Sequence, residues 1–207
     1  MLTIGSRFRE VASANADHVA ILTEAETWTY GELADAVSIL AATIGASGLG
    51  PGARVAVALP NGASFVSAFL AIAHQGGIVV PLNPALREPE LAAVMTDAAV
   101  SLVLTNEGLL ERCEAALGLA SDLDAAVLNV DETSAVSPAA GRGEGVVAPE
   151  GLEDPQQPVL FLYSSGSTGR RCTSGRIEFR LSPEHPGLAC RFRIQNSRCP
   201  STPCRRP

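Results

Sequence analysis

The residues best suited to chemistry form one glycine- and hydroxyl-rich stretch, Tyr163-Ser164-Ser165-Gly166-Ser167-Thr168-Gly169-Arg170. Glycines let consecutive backbone N–H groups turn toward one point, and Ser and Thr hydroxyls add further donors. The stretch therefore predicts a loop that binds an anion such as phosphate. It has neither the G-x-x-x-x-G-K-[ST] pattern of a Walker A loop nor the G-x-S-x-G pattern of a nucleophile elbow. Considered alone, the composition is equally typical of a flexible turn.

A strand must position this loop. The apolar residues 159–163 predict that strand, and it follows a segment, 131–157, that is rich in Gly, Pro, Ala, Ser and acidic residues. Such a composition indicates a linker or a long surface loop.

Strands and helices alternate before the linker. We predict N-caps at Ser6, at Thr29 (with Glu32 completing a capping box) and at Asn61. In the helix after Asn61, one apolar face is predicted from Phe65, Val66, Phe69, Leu70 and Ala73. Alternation with short connections predicts an α/β fold with a parallel sheet. The predicted strands are 19–22, 27–29, 54–59, 78–81, 101–104 and 125–130, and the other predicted helices are 6–15, 30–48, 88–96 and 107–117.

Several motifs resemble the AMP-forming, or adenylate-forming, synthetase superfamily in order and spacing. The loop resembles the family's phosphate-binding signature, [YF]-[ST]-S-G-[ST]-T-G-x-P-K. The resemblance covers residues 6–170 and includes Thr27-Trp28-Thr29-Tyr30-Gly31-Glu32-Leu33, Gly48-Leu49-Gly50-Pro51-Gly52-Ala53-Arg54-Val55-Ala56, Leu59-Pro60-Asn61 and Val80-Pro81-Leu82-Asn83-Pro84. We assign these upstream motifs to structure, since they begin a helix or end a strand, and not to the site.

The resemblance implies an N-terminal fragment of an acyl-CoA synthetase, an acid–thiol ligase that activates a carboxylic acid as an acyl-adenylate. The implied fold is a truncated parallel-sheet subdomain of the family's N-terminal domain. ATP, Mg²⁺ and coenzyme A are the implied cofactor and co-substrates. Residues 81–86 resemble fatty-acyl or aryl-acid CoA ligases more than adenylation domains of peptide synthesis. No catalytic residue or metal ligand is assigned, and by resemblance the ATP-phosphate-binding residues are Ser164, Ser165, Gly166, Ser167, Thr168 and Gly169.

The chain departs from the family directly after the loop. Where the family has Pro and Lys, this chain has Arg171 and Cys172, and it contains no lysine at all. The family's later elements are also absent from the 207 residues: an aromatic-Gly-x-Thr-Glu segment, a ribose-binding Asp and a small domain with a catalytic lysine. We therefore expect little or no activity from this chain alone.

Composition changes at the same place. Residues 1–170 hold 7 Arg and 20 acidic residues, whereas residues 171–207 hold 8 Arg and 2 acidic residues. We find no apolar periodicity of 2 or 3.6 in the second segment. We expect 1–170 to be a partial AMP-binding domain and 171–207 to be a tail outside the family, disordered or produced by a shifted reading frame. A basic tail that binds an anionic partner is one alternative.

Zinc binding is another alternative for this tail, but the one closely spaced cysteine pair, Cys199-x₄-Cys204, is weak support for it. The side chains that could ligate zinc are Cys172, His185, Cys190, Cys199 and Cys204.

Charge and hydropathy exclude other classes of protein. The net charge of −7 argues against a nucleic-acid partner. No apolar run is long enough to span a membrane, and the N-terminus lacks the pattern of a secretion signal. We therefore expect a cytoplasmic protein whose partners are a small carboxylic acid and a nucleotide.

Three interpretations remain open at this point. The chain is an inactive fragment of an enzyme family, a remnant that still binds nucleotide or a protein, or a full-length synthetase whose sequence contains an error. Genomic DNA across codon 171 separates the third from the others, and nucleotide binding separates the first from the second.

Overall fold

The computed structural model describes residues 3–132 and 158–163, and the backbone of 176–181 and 190–195. It confirms the predicted α/β fold. The helices are α1 (Ile4–Ala14), α2 (Tyr30–Ala46), α3 (Ala63–His74), α4 (Glu88–Ala98) and α5 (Leu110–Leu119), with 3₁₀ turns at Glu107–Leu109 and Val130–Glu132. The strands are β1 (Val19–Leu22), β2 (Thr27–Thr29), β3 (Arg54–Ala58), β4 (Ile78–Pro81), β5 (Leu102–Thr105), β6 (Ala126–Asn129), β7 (Leu160–Tyr163), β8 (Arg176–Leu181) and β9 (Cys190–Gln195).

One large sheet organises the described residues, with the strand order β6-β5-β3-β4-β7-β8-β9. The strands from β6 to β7 in this order are parallel, as predicted. In its centre, Val55 of β3 pairs with Val79 of β4 on one side and with Leu102 of β5 on the other. β1 and β2 form a separate antiparallel pair.

Helices cover both faces of the parallel strands. Val55 and Val57 of β3 belong to a core cluster with α2 and α3. Ala56 and Ala58, whose side chains alternate to the opposite face, belong to a second cluster with α4 and α5. Because both faces are buried, the central strands are apolar along their whole length rather than alternating.

The starts of two helices differ from the prediction. Thr3, not Ser6, is the N-cap of α1, and Ser6 is the third helical residue that completes a capping box with it. Asn61 does not cap α3; the N-cap is Gly62, which has no side chain to supply a bond. The first amide of that helix instead donates to the carboxylate of Glu26, 3.2 Å away and distant in sequence.

The predicted capping box of α2 is confirmed. Thr29 Oγ1 accepts a hydrogen bond from the Glu32 amide at 3.2 Å, and the Glu32 carboxylate accepts one from the Thr29 amide at 2.8 Å. Both bonds satisfy backbone donors that a helix start leaves without partners.

The buried face of α3 also differs from the prediction. Its most buried apolar residues are the small Ala63, Ala68 and Ala71, together with Ile72, and Ala73 of the predicted face is buried as predicted. Because α3 packs closely against α2 and the sheet, small side chains occupy that contact. The larger residues of the predicted face are only partly buried. They pack at the margin of the first core cluster, as Phe65, Val66, Phe69 and Leu70.

Two strands lie within the segment 171–207 that we expect to be disordered. β8 pairs antiparallel with β7 and with β9, and the expected disorder of the segment as a whole stays a prediction. Both strands follow a short period-2 pattern, whereas we expect no periodicity in that segment. Apolar residues occupy alternate positions of both strands, and the register pairs Ile177 with Ile194, Phe179 with Phe192 and Leu181 with Cys190. The remainder of that segment lies outside the described residues.

Within the part of the chain that the structure describes, no helix has both the length and the apolar character required to cross a membrane.

Candidate functional site

The parallel strands all end at one edge of the sheet, and the predicted phosphate loop leaves from that edge. β7 lies beside β4, with Leu160 paired to Val79, and its last residue is Tyr163. The carboxyl edge of a parallel sheet is where α/β proteins bind ligands. The predicted phosphate ligands, residues 164–169, follow immediately and lie outside the described residues, so their role stays a prediction.

Tyr163 is the root of the loop, since it directly precedes the predicted phosphate ligands. It makes a contact that the sequence patterns do not predict. The Tyr163 hydroxyl donates to Asp97 Oδ2 of α4 at 2.8 Å. The Tyr163 ring is partly buried against the second core cluster, which contains Leu91, Met95 and Ala98 of the same helix. No local signal could reveal the bond, because 66 positions separate the two residues.

The connection after β4 lies at the same edge and is held by hydrogen bonds between side chains and the backbone. Asn83 Oδ1 accepts from the Ala85 amide at 2.9 Å, which forms a local turn. Arg112 of α5 donates from Nη1 to the Pro84 carbonyl at 2.8 Å. Its Nε lies 3.7 Å from Glu88 at the start of α4. These contacts agree with the structural role that we expect for the Pro81-Leu82-Asn83-Pro84 motif.

Further along the edge, hydrogen bonds join β5 to β3 and α5. Thr105 Oγ1 donates to the Ala58 carbonyl at 3.3 Å, and Cys113 Sγ lies 3.5 Å from Thr105 Oγ1. Burial raises the pKa of the Cys113 thiol, although the hydrogen bond with Thr105 opposes this shift. A thiol kept protonated in this way is a poor nucleophile, so Cys113 is a core residue and not a reactive one.

Beside β6, a polar group closes the end of the sheet. Asn129 Nδ2 donates to Glu107 Oε2 at 2.8 Å, and the Glu107 amide donates to Asp131 Oδ2 at 3.0 Å. These oxygens are occupied by protein donors, which gives the group a structural role.

The described residues contain no cluster of three or more His, Cys, Asp or Glu side chains that could hold a metal ion. The zinc alternative is not tested by this. Cys172, His185, Cys199 and Cys204 lie outside the described residues, and only the backbone of Cys190 is described.

A comparison with models of known protein families identifies the family to which this chain belongs. Residues 8–171 match the AMP-binding enzyme model, and that match covers more than half of the chain. The chain belongs to the AMP-binding enzyme family. The phosphate-loop signature that pointed to this family lies inside the matched range.

Relatives of this AMP-binding chain include a CoA ligase and a hybrid PKS-NRPS synthetase. A 3-[(3aS,4S,7aS)-7a-methyl-1,5-dioxo-octahydro-1H-inden-4-yl]propanoyl:CoA ligase of Mycobacterium tuberculosis is 34% identical over 74% of this chain and 32% of its own length. The hybrid PKS-NRPS synthetase mycA of Thermothelomyces thermophilus is 31% identical over 81% of this chain and 4% of its own length. The chain therefore spans a third or less of either relative.

Solved structures share the fold. The N-terminal domain of FACL13 from Mycobacterium tuberculosis superposes with a TM-score of 0.69 at 22% identity. The match covers 86% of this chain and 44% of that one. At this identity, the likeness establishes the fold of the AMP-binding region and not its substrate.

Proposed function

We propose that this chain supplies the ATP-phosphate-binding part of an adenylate-forming acid–thiol ligase. The observation that carries the proposal is the position of the glycine- and hydroxyl-rich segment. It follows β7 at the carboxyl edge of a parallel sheet, in a chain whose residues 8–171 match the AMP-binding enzyme family.

In the proposed reaction, a carboxylate oxygen attacks the α-phosphorus of ATP. The bond from that phosphorus to the bridging oxygen breaks, pyrophosphate leaves, and an acyl-adenylate remains for a thiol to attack with release of AMP. The amides and hydroxyls of residues 164–169 hold the β- and γ-phosphates and stabilise the charge on the departing pyrophosphate. This role is electrostatic and needs no covalent bond to the protein.

Mg²⁺ fits this proposal as a companion of the nucleotide. Protein sites that act on ATP usually hold Mg²⁺ through the phosphates and one or two carboxylates, and no preformed three-ligand cluster exists among the described residues. When bound, the ion neutralises phosphate charge, while this chain contributes the neutral donors of the loop.

The acid and the thiol are proposed from resemblance. We propose coenzyme A as the thiol and a fatty or aryl acid as the substrate, which would place the intact enzyme in fatty acid metabolism. Residues 81–86 support the choice of acid, and the CoA ligase relative supports coenzyme A as the thiol. The relative named as a hybrid PKS-NRPS synthetase supports the competing choice, a carrier-bound thiol in peptide or polyketide assembly.

A second candidate is a remnant that binds nucleotide or a protein without catalysis. Arg171 and Cys172 favour it, since they stand where the family has Pro and Lys and the 207 residues contain no lysine. Loss of one group that stabilises transition-state charge typically costs about 10²–10³-fold in rate. We therefore propose that this polypeptide does not catalyse acid activation by itself.

ATP–pyrophosphate exchange tests both candidates, because it reports adenylation without the thiol step. We expect the 207-residue chain to show no exchange that depends on an added fatty or aryl acid. Such exchange in the unmodified chain, abolished by Thr168→Ala, would refute the proposed lack of activity.

A lysine-restored variant tests the loop itself. Arg171→Pro combined with Cys172→Lys recreates the family pattern, and it should bind MgATP more tightly than the parent chain, with Thr168→Ala reversing the gain. Arg171→Pro alone is the matched control. If no variant binds ATP or pyrophosphate, the phosphate-binding proposal is wrong. Sequencing genomic DNA across codons 170–172 separately tests for a sequence error.

A further inference from the structure

We propose that Asp97 is a positioning residue for the phosphate loop and acts through Tyr163. The inference rests on the proposed function, since it concerns the segment that would bind the phosphates. It adds a residue on α4 that no motif of the family signature contains. The proposal rests on the 2.8 Å bond from the Tyr163 hydroxyl to Oδ2 of the exposed Asp97 side chain.

Tyr163 lies at the root of the predicted loop, where a restraint can act on the residues that follow. It is the last residue of β7, and the next residue is the first predicted phosphate ligand, Ser164. Its strand is joined to β4 through a short ladder that includes a 2.9 Å bond from the Val79 amide to the Val159 carbonyl. The ring rests against the second core cluster, and the bond to Asp97 holds its far end.

Asp97 is unfavourable for its own helix, which argues for a role outside that helix. It lies in the last turn of α4, which has no basic residue of its own, although Arg54 of β3 donates from Nη1 to the carbonyl of the C-cap Ala99 at 3.4 Å. The C-terminus of a helix carries partial negative charge, so a carboxylate there is disfavoured and a cation would be preferred. The contact to Tyr163 accounts for an acidic acceptor at this place.

The bond should influence the loop modestly. A net hydrogen bond of this kind corresponds to about two- to tenfold in an equilibrium constant. Losing it removes one restraint on the aromatic side chain at the root of the loop, while the core residues of α4 remain buried. We expect a change in the order of the loop without global unfolding.

The first experiment measures backbone amide exchange of the complete chain. Tyr163→Phe and Asp97→Ala should each speed exchange of the amides of residues 163–169 by about two- to tenfold. Asp97→Asn keeps an oxygen acceptor, so the amides of residues 163–169 should exchange at the parent rate. Thr96→Ala, at an exposed neighbouring position of α4, is the matched control and should leave the rate unchanged.

Asp97→Arg separates positioning from helix stability. The substitution favours the end of α4 electrostatically but removes the acceptor. Exchange at 163–169 as fast as in Asp97→Ala, with unchanged or improved resistance to urea, supports the positioning role. Parent-like exchange at 163–169 in both Asp97→Arg and Asp97→Ala would overturn it.

Inorganic pyrophosphate is the probe for function. If the loop binds phosphates, Asp97→Ala and Tyr163→Phe should raise the dissociation constant of magnesium pyrophosphate, and the double variant should be no worse than either single one. If the parent chain binds no pyrophosphate, the proposed function fails, yet the exchange experiment still decides whether the bond orders the loop.

Discussion

Removing the Glu26 carboxylate should separate the β1–β2 pair from α3, because this one side chain bridges both. Its Oε2 accepts a hydrogen bond from Trp28 Nε1 at 2.9 Å, and its Oε1 accepts one from the Ala63 amide at 3.2 Å. Trp28 is 1% exposed, so water cannot readily replace the lost acceptor. The Ala63 amide opens α3, where an anionic group is favoured.

The magnitude follows from these two contacts. A buried donor without a partner costs about 1–3 kcal/mol, and an anionic group at a helix start contributes about 0.3–1 kcal/mol. Together they predict that Glu26→Ala lowers the free energy of unfolding by about 1–4 kcal/mol. For a folded unit of this size, the midpoint of thermal unfolding should fall by about 2–4 °C per kcal/mol.

Urea unfolding of five variants, including Trp28→Phe as the reference for the double variant, measures the effect. Glu26→Gln retains one acceptor oxygen but turns an amide N–H toward the second donor, so we expect an intermediate loss. Glu24→Ala removes an exposed carboxylate two positions away and should change the stability by less than about 0.5 kcal/mol. In a Trp28→Phe background the indole donor is gone, so the further change Glu26→Ala should cost only the part due to α3.

The result that refutes this reasoning is equal stability of Glu26→Ala and Glu24→Ala. A Glu26→Ala cost that is the same with and without the Trp28 indole would also contradict it, because the bridge would then not include that donor.

Three further predictions concern glycine packing, pH and backbone strain. Gly77→Ala should lower the urea midpoint and the free energy of unfolding by about 1–3 kcal/mol, because an added Cβ would lie 2.8 Å from Ile72 Cγ2. A Cβ at Gly118 meets nothing within 4 Å, so Gly118→Ala is the control and should not destabilise. Hydrogen bonds from Thr29 lower the pKa of Glu32 from its ordinary value of 4.5. The free energy of unfolding of the parent chain should therefore exceed that of Glu32→Gln at neutral pH, and this difference should disappear as the pH falls through the folded-state pKa of Glu32. An equal difference at pH 7 and at about pH 3 would contradict this. Ala99 adopts a left-handed conformation with φ of 49°, so Ala99→Gly should raise the free energy of unfolding by about 0.5–1 kcal/mol, and a lower urea midpoint would argue against strain there.

Local patterns in the sequence determined the order of the elements. β1, β2 and β4 have the predicted bounds, and the other elements in the body differ at their ends by a few residues. The capping box of α2 was predictable because its partners are three residues apart and both have the required chemistry. The family was likewise predictable, since its motifs are contiguous strings that survive in a single sequence.

Errors arose where a distant residue or a weak pattern replaced a local signal. Asn61 is a good N-cap by type, but the first amide of α3 is satisfied by Glu26, which is 37 positions away. The strands β8 and β9 were not predicted because their alternation is short and is surrounded by Pro and Arg.

The sequence by itself determined the family, the alternation of strands and helices, and the composition of the candidate phosphate loop. These features depend on side-chain type and on spacing within a few residues. Only the tertiary structure decided the strand order, which places the root of the loop at β7 beside β4. It also decided the partner of that root, Asp97, because a contact between residues 66 positions apart depends on how α4 packs across the sheet. No local pattern carries that information.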